Sequence, residues 1–426
     1  MRHPAFWVPT AWLAMGLAYA IVTNVSALLL HDLGLGTADA IGWASLLGVA
    51  YVVKPLYAPV VELRRSKRFF LLLAQAALCA CLLMTAAMLQ WAPWALGLIL
   101  LLFAATAFFG SVQDIACEGL YLTKLDPQRQ GMFSGVQSVF WNGAALIGGG
   151  ALIAISGLAP APDHARGWAL ALALCGAVYA ILAVWHRRTA PVGRAYVQNE
   201  TRLRDALTSF VRRPNFWPDI ALCLAFPITA GLVDRIEPFF LIGAPRDGGL
   251  GLSREVLAGL YAGVGFGGLI VGATLGSLTL LRRGLEKSML WMGLAASAPA
   301  AIYLMLALAP PTGGVTIACS VFAARALHAY GMVGYVVYLQ RALSPGPYPT
   351  THYNLASGLK ALTMMSAGAA SGYLQSQLGY AGNFATALAC GLGVLVLCRP
   401  SQVRRAVVIL VDNPRPPRRI NKGDLD

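Results

Sequence analysis

Residues 62–68 read Glu-Leu-Arg-Arg-Ser-Lys-Arg and join two long apolar runs, 40–61 and 69–90. A second basic segment, Arg282-Arg283-Gly284-x2-Lys287, joins the apolar runs 254–281 and 288–309 in the same way. Each run is long enough for a helix that crosses a lipid bilayer, because about 20 apolar residues span one. The same basic hairpin therefore occurs in corresponding places of the two halves, which indicates an internal repeat.

The composition narrows the class of protein. Of the 426 residues, 58% are hydrophobic and only 12% are charged, and the mean hydropathy is +0.64. These values exclude a soluble enzyme and a disordered chain, and continuous apolar runs exclude an outer-membrane barrel. The sequence predicts an all-α membrane protein with twelve transmembrane helices. They lie at about residues 7–30, 40–61, 69–90, 93–121, 132–156, 167–185, 214–243, 254–281, 288–309, 314–341, 353–377 and 378–398.

Most lysine and arginine residues lie in segments on one side of the predicted transmembrane helices. That side holds the two basic hairpins, a long central loop and the C-terminal tail, whereas the other side holds only Arg166, Arg246 and Arg254. By the positive-inside rule, both termini are cytoplasmic, and we expect a multi-pass protein of the bacterial inner membrane. Topology and anionic lipid headgroups then account for the net charge of +14, so nucleic acid is not expected as a partner.

A polar loop at residues 186–213 divides the chain. It predicts an N-terminal six-helix bundle at 1–185, a C-terminal six-helix bundle at 214–398 and a basic cytoplasmic tail at 399–426, with a short amphipathic helix in the loop around 203–210. Two basic hairpins around a long central loop resemble the major facilitator superfamily of transporters. The resemblance implies two pseudo-symmetric bundles around a central cavity lined by the first, fourth, seventh and tenth helices.

Four further motifs narrow this resemblance. They are Lys54-Pro55-Leu56-Tyr57-Ala58-Pro59-Val60-Val61, Gln113-Asp114-Ile115-Ala116-Cys117-Glu118, Phe240-Leu241-Ile242-x3-Arg246-x-Gly248-Gly249-Leu250-Gly251-Leu252-Ser253 and His352-Tyr353. They resemble the peptide and acetyl-CoA transporter branch, and within it the AmpG-type muropeptide permeases, which implies import of peptidoglycan-derived anhydro-muropeptides for cell-wall recycling. The chain departs from that family at Glu118, where the family has Asp, and at His328, near which an acidic residue is expected.

Ionisable side chains inside the predicted helices are functional candidates, because a charge within a bilayer is costly. Asp114 and Glu118 are four residues apart and share one face of the fourth helix, and Lys54 lies at a similar depth in the second. In one interpretation, Lys54 forms an ion pair with one of these carboxylates. In the other, the unpaired carboxylate carries a proton, since two close carboxylates do not both ionise easily. Glu118 is the preferred proton carrier.

The seventh helix contains Asp234, Arg235 and Glu237 directly before Pro238, which removes a backbone donor and bends the helix. Asp234 and Glu237 are three residues apart and share a side, whereas Arg235 points to another face. Two interpretations remain open. Arg235 latches an outer gate, or the segment binds substrate and protons, with Asp234 and Glu237 as proton-coupling candidates and Arg235 as a substrate-binding candidate.

The tenth helix contains Arg325 and His328 on one face, three residues apart. The rigid arginine fork suits carboxylates or phosphates, so Arg325 either binds an anionic substrate or ties this helix to a carboxylate of the seventh. His328 either relays protons or packs. Lys360 in the eleventh helix either faces the cavity or extends toward the cytoplasm. We count all three with Arg235 as substrate-binding candidates.

Residues of the basic hairpins complete the candidate set. Arg64 and Arg65 in the first hairpin, and Arg282 and Arg283 in the second, are ion-pair or gate candidates together with Lys54.

One glycine motif mimics a nucleotide site. Residues 263–268 match the dinucleotide-binding pattern G-x-G-x-x-G, but that pattern requires a preceding strand. Gly268, Gly272 and Gly276 instead predict a stripe of small residues for close helix packing. The sequence has no P-loop, zinc motif or nucleophile elbow, so no enzymatic activity, cofactor or metal is expected.

These features predict a secondary active transporter that imports a small, acidic solute with protons by alternating access. Its partners are the small-molecule substrate, protons and the lipid bilayer, and we expect a monomer. Two alternatives remain. The chain could import a siderophore or another peptide-like metabolite, or it could be a membrane receptor or scaffold that transports nothing.

Overall fold

A computed structural model describes residues 3–63, 66–125, 127–159, 164–192, 203–213, 215–343 and 349–398. These residues form helices joined by turns, and they contain no strand. The gate candidates Arg64 and Arg65, and the basic tail at 399–426, lie outside the described residues.

Nine helical stretches within the described ranges are long and apolar enough to cross a membrane. They are Pro4–Asp32, Thr37–Ala58, Lys67–Trp91, Leu96–Tyr121, Val139–Gly157, His164–Thr189, Phe216–Ile242, Arg254–Leu308 and Gly314–Leu343. A further helix, Pro349–Val394, follows them. We call the first seven stretches spans 1 to 7. The two arms of Arg254–Leu308 are spans 8 and 9, Gly314–Leu343 is span 10, and the two arms of Pro349–Val394 are spans 11 and 12.

The two longest helices each fold back at a glycine. Gly276 abuts Tyr330, and Met292 abuts the neighbouring Gly331, although a straight helix would separate residues 276 and 292 by about 24 Å. The chain therefore turns back between them, at Gly284, whose φ of 73° is left-handed. Gly379, with φ 69°, separates spans 11 and 12 in the same manner. The prediction of an all-α fold with twelve spans is confirmed.

Two spans consist of several helical pieces. Span 7 comprises Phe216–Ala225, Ile228–Asp234 and Glu237–Ile242, with Pro227 and Pro238 at the breaks, where proline removes a backbone donor. Span 2 comprises Thr37–Leu46, Val49–Val52 and the start of the helix Lys54–Leu63, which continues beyond the end of the span at Ala58. Both interruptions place candidate residues at helix ends, since Arg235 follows the middle piece of span 7 and Lys54 begins the last piece of span 2.

We name the two ends of the helix bundle after residues that lie there. The Asp32 face contains the ends of spans 1, 5 and 7 at Asp32, Gly157 and Ile242, and the Lys67 face is opposite. The short linker helix Leu203–Val211 lies at the Lys67 face and matches the amphipathic helix expected around residues 203–210. Arg213, just beyond it, donates a hydrogen bond to the Ala342 carbonyl at the end of span 10 (3.1 Å).

Spans 8 and 10 pack along a stripe of small residues. Gly268, Gly272 and Gly276 abut Phe322, Ala326 and Tyr330, so that the four-residue spacing on one helix meets the same spacing on the other. A Cβ atom at Gly272 would lie 1.9 Å from the Ala326 carbonyl oxygen, which no side chain tolerates. The predicted glycine stripe is therefore a helix-packing surface.

We expect Gly272→Ala to destabilise the protein by about 1–3 kcal/mol through overpacking. Thermal unfolding in detergent measures the effect as a lower midpoint temperature. Gly259→Ala is the matched control in the same span, because a Cβ at Gly259 would meet no atom within 4 Å. Equal unfolding temperatures of the two variants would contradict the close contact of spans 8 and 10.

Candidate functional site

An ion pair joins spans 2 and 4 in the N-terminal half. The Lys54 Nζ lies 3.4 Å from the Glu118 Oε1, and the two side chains are 9% and 31% exposed. Lys54 reaches Glu118 because the last helical piece of span 2 begins at this residue, after the break at Val53. Of the two carboxylates on this face of span 4, Glu118 is thus the one that Lys54 neutralises directly.

Asp114, one turn away, is left without such a contact. Its Oδ1 is buried and has no hydrogen-bond partner among the described residues, and the same is true of the neighbouring Tyr51 hydroxyl. Lys54 and Glu118 are both within electrostatic range of Asp114. Asp114 and Glu118 therefore have different surroundings, although the sequence places them on the same helix face.

Spans 7 and 10 meet through Arg325. Its Nη2 donates to the Glu237 Oε2 at 2.7 Å, and its Nη1 lies 3.8 Å from the Asp234 Oδ1. The Tyr303 hydroxyl of span 9 donates to the other Glu237 oxygen at 2.7 Å. Arg325 also lies over the Tyr261 ring of span 8, with its Cζ 5.2 Å from the ring centroid. Arg325 is thus tied to the carboxylates of span 7, as one of the two sequence interpretations states.

A pocket opens beside this cluster, between spans 7, 9 and 10. Its cavity volume is about 10 Å³, enough for about one water molecule, and its lining includes Asp234, Glu237, Tyr303, Arg325 and His328. The His328 ring makes no hydrogen bond to any described residue. An arginine, two carboxylates and an imidazole thus line this small cavity.

Two cations have no partner within the described part of the chain. Arg235 is only 5% exposed, packs against Gly368 of span 11 and adjoins Ser45 of span 2, and its buried Nη1 has no hydrogen-bond partner. Lys360 of span 11 forms no ion pair or hydrogen bond there. Asp234 is within electrostatic range of both. An unpartnered cation is costly where it is buried, as Arg235 is, and Lys360 is partly buried, so a site of this kind favours an anion.

A cluster of aromatic rings from the N-terminal half lies near Arg235. The Tyr19 ring centroid lies 5.9 Å from that of Tyr51 and 5.1 Å from that of Trp141. Tyr19 is within electrostatic range of Arg235, Asp234 and Asp114, so it lies between the charged groups of the two halves. We refer to Tyr19, Tyr51 and Trp141 as the aromatic wall.

Three π-helical turns lie at similar depth around this region. They are Ile21–Val25 in span 1, Ala144–Gly148 in span 5 and Tyr261–Gly265 in span 8. Each lies about ten residues from the Asp32 face, and π-turns inside helices are frequent at functional sites. The last begins at Tyr261, the ring beneath Arg325.

The gate candidates Arg282 and Arg283 lie away from this site. Arg282 and Arg283 have exposed side chains in the turn at Gly284, and neither forms an ion pair with a described residue. Arg235 also forms none, so in this structure it does not latch an outer gate.

A latch at the Asp32 face instead involves residues that the sequence analysis did not select. Arg254 of span 8 donates from Nη2 to both Asp32 carboxylate oxygens of span 1, at 2.7 and 2.6 Å, and from Nη1 to the Ser156 hydroxyl at 2.7 Å. Asp32 and Arg254 are 9% and 13% exposed. This two-oxygen contact is a strong form of ion pair, and it connects spans 1 and 8, one in each half of the sequence.

Trp168 belongs to the same latch. Its indole nitrogen donates to the Asp32 Oδ2 at 2.7 Å, and its side chain is fully buried. Being buried, Trp168 contacts protein rather than the lipid headgroup region where exposed tryptophans of membrane proteins gather.

The chain is similar to a known protein family and to several solved structures. The family described as the Major Facilitator Superfamily matches residues 8–373, whereas no curated protein sequence matches the chain. The fold is similar to that of the nucleoside transporter NupG, with a TM-score of 0.69 and 14% identity over 92% of this chain and 98% of that one. It is also similar to peptide transporter POT in complex with sulfate (TM-score 0.68, 12% identity, 96% of each chain). A third similar structure is the inward-open xylose transporter XylE from E. coli (TM-score 0.64, 10% identity, 92% of this chain and 94% of that one).

We expect Asp32→Asn to open the Asp32 face, because it leaves Arg254 without its anion at a cost of about 3 kcal/mol. The readout is the alkylation rate of a cysteine introduced by Ile41→Cys, since Ile41 is buried against Gly372 of span 11 near this face. Mass spectrometry of the peptide containing residue 41 follows the reaction.

Asp39→Asn is the matched control, because it removes an exposed carboxylate from the same face. Faster alkylation with Asp32→Asn but not with Asp39→Asn supports the latch. Equal rates in both variants would show that the Asp32 to Arg254 contact does not hold this face closed.

Proposed function

The chain belongs to the major facilitator superfamily of membrane transporters, and from this premise we propose that it imports a small acidic solute together with protons. The single observation that carries the proposal is a set of charged groups without an ion-pair partner among the described residues, the acid Asp114 and the bases Arg235 and Lys360. A transporter has to bind and release its cargo, so its binding groups must be free when the site is empty. The groups already paired, such as Lys54 and Glu118, lack that freedom.

In the proposed mechanism, Asp114 carries the coupled proton. It has the unpartnered buried oxygen, and Glu118 is already neutralised by Lys54. Proton binding neutralises the carboxylate that has no cation in contact with it, and it leaves the bases of the site in excess for an anionic solute. This assigns to Asp114 the role that the sequence alone favours for Glu118.

Arg235 and Lys360 bind the acidic group of the solute in this proposal. Arg235 lies at the break of span 7 and faces spans 2 and 11, so an anion between it and Lys360 would bridge separate helices. Arg325 keeps its carboxylates in place, and His328 lines the adjoining pocket. The aromatic wall gives the cavity a flat apolar surface, which together with a few polar groups is the usual composition of a small-molecule site.

The resemblance of four motifs to AmpG-type permeases selects the proposed cargo, peptidoglycan-derived anhydro-muropeptides recovered during cell-wall recycling. Such a compound contains sugar rings for the aromatic wall and carboxylates for the cations. Its carboxylates also fit the excess of free bases over free acids that remains once Asp114 binds a proton.

The proposed location is the bacterial inner membrane, with both termini cytoplasmic. This orientation follows from the basic residues of the Lys67 face, such as Arg282 and Arg283, and it makes the Asp32 face the outer one. The Asp32 to Arg254 latch then closes the cavity toward the outside, and import requires it to open.

We expect Asp114→Asn to abolish accumulation of a labelled anhydro-muropeptide, at least about tenfold below the unmodified protein, because one proton per cycle no longer couples to uptake. Exchange of labelled for unlabelled solute should persist, since exchange needs no net proton movement. Proteoliposomes containing the purified protein measure both rates. Asp247→Asn, an exposed carboxylate 67% accessible in a loop, is the matched control.

Several outcomes separate the alternatives. Uptake that survives a protonophore would remove the proton coupling. Uptake that is blocked by an unlabelled ferric siderophore, but not by excess muropeptide, would favour the siderophore importer. Absence of uptake and of exchange of every probe by the unmodified protein would favour a receptor or scaffold.

A further inference from the structure

The charged residues deep between the two faces balance one another. Within the described ranges, the acids are Asp114, Glu118, Asp234 and Glu237, and the bases are Lys54, Arg235, Arg325 and Lys360. Asp219 is excluded because it lies in the first turn of span 7, within electrostatic range of Arg213 at the Lys67 face. Four acids against four bases give the empty site a formal charge of zero.

Protonation of Asp114 breaks this balance. The titratable groups that face Asp114 are Lys54, Glu118, Cys117, Tyr19, Tyr51, Tyr57 and Tyr179. At neutral pH, phenols and buried thiols are uncharged, so only the Lys54 and Glu118 pair contributes charge beside it. A proton on Asp114 therefore leaves the site with one uncompensated positive charge, and the unpartnered Arg235 and Lys360 are the groups available to bind an anion.

We infer that the site takes a solute with a single negative charge together with one proton, so that each transport cycle moves no net charge. This rests on the proposed function and specifies its substrate class. Two states of the site are then neutral, the empty unprotonated one and the one with both proton and anion. The states with only the proton or only the anion carry +1 or −1.

This charge balance supplies the coupling between proton and solute. Closing helices around a site of net charge is costly in low-dielectric surroundings, whereas closing them around a neutral site is not. The protein therefore changes orientation when the site is empty or fully loaded, and it resists doing so with one ligand alone. A proton cannot leak without the anion, and the anion cannot move without the proton.

The inference also predicts which forms of the proposed cargo are transported in preference, according to their number of carboxylates. A peptide-free anhydro-disaccharide that ends in muramic acid has one carboxylate. When the lactyl carboxylate is instead amide-linked to an alanyl-glutamyl dipeptide, the compound carries two carboxylates. The site should transport the first compound in preference to the second, because the second leaves the loaded site with an excess negative charge.

The test uses purified protein in proteoliposomes with both compounds as radiolabelled probes. In one arm, a pH gradient with an alkaline interior acts while potassium and valinomycin hold the membrane potential at zero. In the other, a potassium diffusion potential makes the interior negative at equal pH. We expect the pH gradient to drive the one-carboxylate probe toward about tenfold accumulation per pH unit, the limit for one proton. The potential alone should leave uptake unchanged.

Lys360→Gln and Lys360→Arg test the binding cation. The glutamine variant should take up the one-carboxylate probe at least about tenfold more slowly, because both translocating states then carry a negative charge. Its uptake should also become sensitive to membrane potential, which damage to packing alone would not produce. The arginine variant keeps the charge and should restore potential-independent uptake.

The results of these experiments distinguish failure of the inference from failure of the proposed function. Accumulation or expulsion of the one-carboxylate probe driven by potential alone contradicts electroneutral transport while leaving proton-coupled import intact. Faster transport of the two-carboxylate probe also contradicts the inference. Failure of both probes to enter or exchange under any gradient contradicts the proposed function itself, and the inference fails with it.

Discussion

A charged side chain inside a helix bundle has to be neutralised by its neighbours, because bulk water is not present to solvate it. Among the described residues, three short contacts between spans meet that requirement. They are Lys54 with Glu118, Arg325 with Glu237, and Asp32 with Arg254. Each contact joins two different spans, so neutralisation also determines which helices are neighbours. The same requirement makes the groups without partners informative, since a protein that tolerates them has another use for them.

The break in span 7 explains how one short segment serves two purposes. In a continuous helix, the spacing of three from Asp234 to Glu237 would place both on one side, with Arg235 about 100° away. The structure keeps both acids on Arg325 of span 10 while Arg235 turns toward spans 2 and 11. Pro238 interrupts the helix here because it lacks a backbone N–H donor. The segment can therefore contain both a paired and an unpaired charge within four residues.

The fold could be predicted from the sequence because twenty-residue apolar runs and basic hairpins are strong signals, and the glycine stripe from Gly268 to Gly276 was also visible. The sequence did not show which charged residues form ion pairs with one another. Asp114 and Glu118 share a helix face, and which of them meets Lys54 depends on where the lysine side chain points after the break at Val53, although Pro55 in the first turn of the following helix indicates that break. The latch could not be predicted because Asp32 and Arg254 lie at helix ends, where exposed charges are common. Its ionic contact also joins residues that are 222 positions apart in the sequence.

The latch at the Asp32 face combines strength with reversibility. In the closed state, Asp32 and Arg254 are almost fully excluded from solvent, and separating them without water would leave two bare charges. When water enters, it solvates both groups, and an exposed pair of this kind contributes only about 0–1 kcal/mol. The ion pair therefore resists separation while water is absent from the face. Once water enters the cavity, the face opens at modest cost. An apolar seal of the same area would lack this property, because hydration would oppose its opening at every stage.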